Sequence, residues 1–359
     1  MILLGCTGSI GVSCIEVAVQ NKLNIDVLVA GKNIELLNKQ ITTTKPKIVV
    51  VAHKQDVHKV NHDRVRYGEK AILDAIEESK SKIVVNALVG FLGLRPTLKA
   101  ISCGKIVALA NKESLVAAGK FIDKSKIIPI DSEHFSLQYI LDKNKNINKL
   151  TITASGGSFR FTPLEKLKSV SIKEALNHPN WSMGDKITID SATMANKLLE
   201  IVEAYWLFST KNIDAIIEPK SIVHALIEYK DGSLVAHMAN PSMKLPISYA
   251  LGLNCKSNIV KPISLIGLGS LQFKEIDINR YPIFSLKDTI LDNPSLAVVL
   301  NTANEIEVTK FLNNKISFVD IATNVIKCVN RYHNIKISSI DDIYAIDKQI
   351  RENQKDYLI

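Results

Sequence analysis

Residues 1–11 read MILLGCTGSIG, and the fold turns on what this stretch does. Met1–Leu4 has the make-up of a short buried strand, Gly5–Gly11 is a glycine-rich turn, and IGVSCIEVAVQN (10–21) has the apolar spacing of an amphipathic helix. Glycines at such a turn let the backbone approach a pyrophosphate, and the helix N-terminus adds free N–H groups and a positive dipole end. The GxxGxxG spacing departs from GxGxxG. The strand-turn-helix setting, rather than the glycine triplet, therefore favours a nucleotide site over a simple tight turn.

The same alternation continues downstream. NIDVLVA (24–30), PKIVVVA (46–52), SKIVVNALV (81–89), KIVALA (105–110) and KIIPI (126–130) are candidate strands separated by amphipathic stretches such as ESLVAAGKFIDK (113–124). Near-continuous apolar strands with intervening helices predict a parallel sheet covered on both faces, a Rossmann-like α/β architecture with ligands at the carboxyl ends of the strands. At the second such end stands AGKN (30–33). An NAD site usually places an acidic residue there, whereas Lys32 can neutralise a 2'-phosphate, which favours NADPH; the alternative is a surface lysine after a turn. At a later end stands ALANKES (108–114), where Asn111, Lys112 and Glu113 either start a helix or reach the ligand cleft, and the strand-end position favours the cleft.

IPIDSEH (128–134) ends a strand in two carboxylates one residue apart. If the segment stays extended, Asp131 and Glu133 project from one face, and a hard divalent cation would relieve their repulsion. The alternative is that Asp131 caps a helix formed by EHFSLQYIL and Glu133 is solvated.

Beyond residue 146 the pattern changes. NKLTITASGGSF (148–159) is a strand running into Ser155-Gly156-Gly157, whose backbone could form an anion-binding nest with the serine hydroxyl. In NHPNWSMGDK (177–186), His178, Trp181 and Met183 sit among Pro, Asn and Gly, which suits a water-excluding lid; the alternative is a small local core around Trp181. ITIDSATMANKLLEIVEAYWLF (187–208) predicts a helix capped by Asp190 or Ser191, with Asn196, Lys197 and Glu200 close together along it. Glu200 would be the third carboxylate that Asp131 and Glu133 lack.

Composition limits the classes of function. The 359 residues, 46% hydrophobic, suffice for two or three domains. No apolar run reaches the roughly 20 residues that span a bilayer. MILL opens the sequence with no basic stretch before it, so no signal or transit peptide is expected. Cys6, Cys14, Cys103, Cys255 and Cys328 form no CxxC pair, and a reduced, soluble, cytoplasmic protein is expected. The net charge of +9 comes from 38 Lys and 7 Arg, with the lysines scattered among Asn and Ile. No RNA- or DNA-binding motif accompanies them, so nucleic acid is not an expected partner and only a modest pull on anionic substrates is.

In this order and spacing, GCTGSIG, AGKN, LANKES, PIDSEH, SGG, NHPNWSMG and ITIDSATMANK..E resemble the 1-deoxy-D-xylulose 5-phosphate reductoisomerase family. The likeness continues through SIVHALIEYKDGS (221–233) and NTANEIEV (301–308), covering essentially the whole chain. It implies a cytoplasmic homodimer that rearranges and reduces 1-deoxy-D-xylulose 5-phosphate to 2-C-methyl-D-erythritol 4-phosphate with NADPH and Mg2+ or Mn2+, and that fosmidomycin inhibits. It places NADPH on Thr7, Gly8, Ser9, Ile10, Gly31, Lys32, Asn33, Asn111, Glu113 and Gly184, and the metal on Asp131, Glu133 and Glu200. It places the substrate among Lys112, Ser132, Glu133, Ser155, His178, Ser191, Asn196, Lys197 and Glu200, under Trp181, with the phosphate on Ser155, Ser191, Asn196 and Lys197. Lys112, Asp131, Glu133, His178 and Glu200 carry the implied chemistry.

The chain departs from the family pattern at Cys6 (serine elsewhere), Ser158 (proline), Leu198 (glycine) and in a segment after His134 that is one residue short. The expected division is a dinucleotide-binding domain at 1–131, an α+β catalytic domain at 132–252 with the dimer interface on its sheet, a linker at 253–279 and a helical domain at 280–359. In that last domain, NPSLAVVLNTANEIEVTKFLNN (293–314) and FVDIATNVIKCVNRYH (318–333) have helical spacing and no obvious chemistry. LDKNKNINKL (141–150) is expected to be a solvated connection. Another NADPH-dependent reductase on this architecture would not need three carboxylates, and a nucleotide-sensing regulator would not need the polar cluster around His178.

Overall fold

A computed structural model describes residues 1–253 and 258–353; residues 254–257 of the expected linker, which include Cys255, and 354–359 of the expected helical domain lie outside them. The chain divides into two units. One comprises Met1–Ser114, Ile122–Phe135 and the described part of Ser242–Lys261; the other comprises Leu115–Phe121, Ser136–Pro241 and the chain from Pro262 onward.

The first unit is built on seven parallel strands: β1 (Ile2–Leu4), β2 (Val27–Ala30), β3 (Ile48–Val51), β4 (Val65–Tyr67), β5 (Ile83–Asn86), β6 (Ile106–Leu109) and β7 (Ile127–Pro129). Their order is β4-β3-β2-β1-β5-β6-β7. The six apolar runs each supply one strand. Sequence reading misses β4, a partly exposed edge strand interrupted by Arg66 that makes no apolar run. Ile2, Leu3, Leu4, Leu28, Val49 and Val84 are fully buried, and each such side chain contributes about 1.5–3 kcal/mol. β1 pairs with β2 on one side and β5 on the other, so the order reverses at β1 and the glycine turn leaves the sheet at this switch point. The helix Lys244–Ala250, remote in sequence, returns Ile247 and Ala250 to the core that holds Leu3, Leu28 and Ile130.

The second unit carries a mixed sheet of β8 (Ile147–Ala154), β9 (Ile213–Ile217), β10 (Val223–Tyr229) and β11 (Leu234–Met238) in the order β11-β10-β8-β9. β8 and β9 are parallel, and β10 runs antiparallel to β8 and β11. Its core joins the sheet to the helices Ala195–Phe208, Leu296–Leu312 and Phe318–Arg331. The fold is thus α/β: a Rossmann-like parallel sheet, an α+β region and a helical C-terminal region. The connection at 141–150 is solvated only as far as Asn146, because β8 already begins at Ile147.

One expected helix is two. Asp185–Thr193 and Ala195–Phe208 are separated by Met194, whose left-handed backbone (φ +69°) ends the first and starts the second. Asp190 and Ser191 therefore lie inside a helix rather than capping one; Gly184 stands at the N-cap.

Candidate cofactor, metal and phosphate residues

In the first unit, the glycine turn is fixed by its own backbone. Gly5 and Cys6 donate N–H bonds to the Val29 carbonyl, both at 2.9 Å, and the Gln40 amide reaches the Cys6 carbonyl at 2.8 Å. Gly5 has φ +82°, and a Cβ there would lie 2.4 Å from the Ala87 carbonyl oxygen. Gly8 is the N-cap of the helix Ser9–Gln20, and no side chain caps its first turn. Thr7 is half-buried, Gly8 and Ser9 exposed. Cys6 fits as a small apolar filler: it is fully buried, and burial pushes its thiol up to about 12, too high for nucleophilic work.

At the end of β2, Gly31 and Lys32 are exposed, and Asn33 caps the helix Ile34–Thr44 by accepting the Leu36 N–H at 3.1 Å. Asn111, just before the helix Lys112–Ala118, commits its amide N–H groups to the Leu88 and Gly90 carbonyls at 2.9 and 2.7 Å and to Glu113 at 3.2 Å. Its local structural role is thus well defined, whatever else it touches.

β7 stops at Pro129, and Glu133 lies in the first turn of the helix Ser132–Ile140. The extended geometry expected for IPIDSEH is therefore corrected. The Asp131 carboxylate accepts the Glu133 N–H at 3.1 Å and nucleates the helix, while Ser132 donates to Glu133 at 2.7 Å. Asp131 is also held by the buried Lys112 ammonium at 2.5 Å and by His134 Nδ1 at 2.9 Å. A buried carboxylate needs such a counter-charge.

In the second unit, the chain turns sharply at Ser155–Gly157. Gly156 and Gly157 have φ +87° and +68°, and the Gly157 N–H donates to Ser155 Oγ at 3.1 Å. His178 Nδ1 accepts the N–H groups of Asn180 and Trp181 at 3.2 and 3.0 Å. Its proton is then on Nε2, 2.9 Å from Ser155 Oγ. Burial, aided by the Arg160 cation, lowers His178 to about 4, so the ring is neutral at physiological pH. Ser155 Oγ thus accepts two hydrogen bonds, and its own proton remains to be donated, as an anion site requires.

The loop after His178 is anchored by Asn180, which donates to the Pro219 carbonyl and Ser221 Oγ, both at 2.7 Å. Trp181 meets the His224 ring edge-on at 6.2 Å, so it combines a local packing contact with a half-exposed face. Ser191 is half-buried near the end of the helix Asp185–Thr193, and Gly184 starts that helix. On the next helix, Asn196 and Lys197 both hydrogen-bond the buried Glu200. Of the departures, Ser158 hydrogen-bonds the Ala175 carbonyl at 2.8 Å, and Leu198 is fully buried in the second core. Sequence reading missed Arg160, which donates to the Ser155 carbonyl at 3.3 Å, and Tyr281, which donates to the Gly156 carbonyl at 2.8 Å. Both back the nest; for Tyr281 the partner is 125 residues away, so no local pattern could reveal it.

A parallel sheet with a glycine turn at its switch point, joined in one chain to a serine-glycine nest and acidic side chains paired with lysines, defines the class: a nucleotide-cofactor α/β enzyme acting on an anionic substrate. Comparison with known proteins then gives the family. Residues 1–119 match the model for 1-deoxy-D-xylulose 5-phosphate reductoisomerase, 127–208 that for its C-terminal domain, and 238–353 that for the DXP reductoisomerase C-terminal domain. The 1-deoxy-D-xylulose 5-phosphate reductoisomerase of Nautilia profundicola is 52% identical, and that of Campylobacter lari 50%, each alignment covering 98% of both chains. A crystal structure of DOX-P reductoisomerase in complex with NADPH, fosmidomycin and magnesium superposes with a TM-score of 0.93 at 34% identity, covering 99% of this chain and 97% of that one. The Zymomonas mobilis enzyme in complex with NADPH gives 0.87 at 33%, covering 98% and 96%. The chain belongs to the 1-deoxy-D-xylulose 5-phosphate reductoisomerase family.

Proposed function

We propose that this chain rearranges and reduces 1-deoxy-D-xylulose 5-phosphate to 2-C-methyl-D-erythritol 4-phosphate, with NADPH and a divalent metal, in non-mevalonate isoprenoid synthesis. The observation that carries the reading is full-length identity of about one half to relatives of that name. The local geometry agrees with it. The first-turn N–H groups after Gly8 offer a pyrophosphate site, with Thr7, Ser9 and Ile10 beside it. Gly31, Lys32 and Asn33 take the adenosine end, where Lys32 selects the 2'-phosphate, and Asn111, Glu113 and Gly184 complete the cofactor contacts.

Asp131, Glu133 and Glu200 are the metal ligands on this reading. Three carboxylates without sulfur suit Mg2+ or Mn2+, and two of them already carry a lysine as counter-charge, Lys112 on Asp131 and Lys197 on Glu200. Bound there, the ion supplies Lewis-acid stabilisation of negative oxygen. The protein's own groups do the rest. Ser155, Ser191, Asn196 and Lys197 hold the phosphate, remote from the reacting carbons, so that its binding energy aligns the substrate. Neutral His178 orients the Ser155 hydroxyl, Trp181 excludes water, and Ser132, Glu133 and Lys112 border the sugar.

The domains by role are the cofactor part at 1–131, the catalytic part at 132–252, a linker at 253–279 and the helical part at 280–359. We infer a homodimer through the second sheet: β11 is an edge strand whose Leu234 and Val235 are 61% and 37% exposed, an edge that a second copy would cover. The cytoplasm is the inferred location; no described helix is long and apolar enough to cross a membrane, and the four described cysteines are free thiols.

Glu200→Gln tests the metal assignment. Turnover should fall by roughly 10^2–10^3-fold or more, with NADPH binding retained. The readouts are NADPH absorbance with 1-deoxy-D-xylulose 5-phosphate, with Mg2+ and after chelation, and equilibrium binding of NADPH. Full metal-dependent activity in this variant would remove Glu200 from the ligand set.

A further inference from the structure

NTANEIEV (301–308) is part of the family likeness, yet nothing in the reaction uses it. It lies in the helix Leu296–Leu312, and Asn304 is fully buried there. Its amide Nδ2 donates to Asp190 Oδ1 at 2.7 Å across 114 residues of sequence. Asp190 is itself buried, and its second oxygen accepts from Lys186 at 2.6 Å. The Asn304 carbonyl oxygen has no hydrogen-bond partner among the described residues. Turning the amide over would set that oxygen against a carboxylate and lose a charge-assisted bond, so the contact with Asp190 fixes the amide's orientation.

Asp190 immediately precedes Ser191, and successive side chains on a helix point about 100° apart. Pinning Asp190 inward to Asn304 therefore sets the rotation at which Ser191 is presented. The fit on the other side is close: a Cβ on Gly157 would lie 2.7 Å from the Ser191 carbonyl oxygen and 2.6 Å from Ala192 Cα. The same helix end runs through Met194 into Asn196 and Lys197. A small rotation of this helix would move Ser191 relative to the nest.

We propose that Asn304 is a positioning residue for substrate phosphate: through Asp190 it holds the helix Asp185–Thr193 in register with the Ser155–Gly157 nest. The inference rests on the phosphate site proposed above. Asn304→Ala and Asp190→Asn should each raise KM for the sugar phosphate about tenfold and weaken competition by a phosphonate inhibitor by the same factor. The KM for NADPH should not move and kcat should change less than threefold. The exchanged pair Asp190→Asn with Asn304→Asp keeps one amide-to-carboxylate bond and should recover most of the loss.

A merely structural role predicts the opposite pattern: a lower melting temperature and less active protein, with both KM values unchanged and no recovery in the exchanged pair. That result would overturn the proposal, as would an unchanged KM in Asn304→Ala. Ser155→Ala and Lys197→Ala are measured alongside. If these two also leave the sugar-phosphate KM unmoved, the phosphate site itself is wrong; if they raise it while Asn304→Ala does not, only the positioning role fails.

Discussion

The turn at Gly5–Gly11 and the nest at Ser155–Gly157 are both proposed to receive phosphate, but they are built from different material. The first is held through the main-chain atoms of the turn itself: the Val29 carbonyl accepts from Gly5 and Cys6, the Gln40 side-chain amide donates to the Cys6 carbonyl, and Gly5 lies where a Cβ would strike a carbonyl oxygen 2.4 Å away. The second depends on side chains, with Ser155 positioned by His178, and His178 in turn by the N–H groups of Asn180 and Trp181. A backbone site tolerates exchange of its side chains and fails when a glycine gains one. A side-chain site can be weakened by degrees and answers to pH.

The largest effects should come from adding one methyl group to each turn. Gly5→Ala forces a residue with φ +82° against Ala87, and neither backbone can yield, so a loss of about 3 kcal/mol or more is expected together with NADPH affinity. Gly157→Ala, at φ +68° and 2.6 Å from Ala192 Cα, should cost a similar amount of stability but leave NADPH binding in the surviving folded protein and remove sugar-phosphate affinity. Denaturant midpoints and equilibrium binding of each ligand separate the two. Loss of both ligands in both variants would mean that the turns are not independent sites.

The contrast also explains what could be read in advance. Strands β1, β2, β3, β5, β6 and β7 were legible because each is a buried apolar run, and the glycine turn because it follows one of them. The carboxylates and the positive-φ glycines of the Ser155–Gly157 turn were legible by residue type. Their surroundings were not. Met194 breaks a helix in a left-handed conformation that no glycine marks, which moved Asp190 and Ser191 from a cap to a helix interior. Tyr281, Asn304 and the helix Lys244–Ala250 act on partners more than 100 residues away, and such pairings leave no periodicity in one sequence.

A smaller effect tests whether the nest depends on its histidine. His178 titrates at about 4 in the folded chain against an ordinary 6.5, because burial and the Arg160 cation disfavour its charged form. The unfolded chain therefore binds a proton first as pH falls, and the stability this residue confers is full above about pH 6.5 and lost toward pH 4. His237, lowered to about 4 mainly by burial, adds a parallel loss. Thermal melts of the native chain and His178→Gln between pH 7 and 4.5 should differ in slope, the variant losing less, by a few degrees over the range. The glutamine can still donate to Ser155, so sugar-phosphate KM should rise only modestly. Identical slopes would place His178 outside the titrating set and remove the pH sensitivity claimed for the side-chain site.

The smallest effect belongs to Lys32, the side chain proposed above to select the 2'-phosphate. Lys32 is exposed, so its attraction for a 2'-phosphate works in high dielectric and is worth about 0.5–1 kcal/mol. Lys32→Gln should raise KM for NADPH by ~2- to 5-fold, leave KM for NADH unchanged, and leave sugar-phosphate KM untouched. Because both charges are solvated, the difference from the native chain should shrink as salt rises from 0.05 to 0.5 M, where the screening length falls to roughly 4 Å. A loss that persists at high salt would mean that Lys32 shapes the loop rather than attracting charge. A loss shared equally by NADPH and NADH would move 2'-phosphate selection elsewhere in the cofactor domain and leave the glycine turn as a pyrophosphate site only.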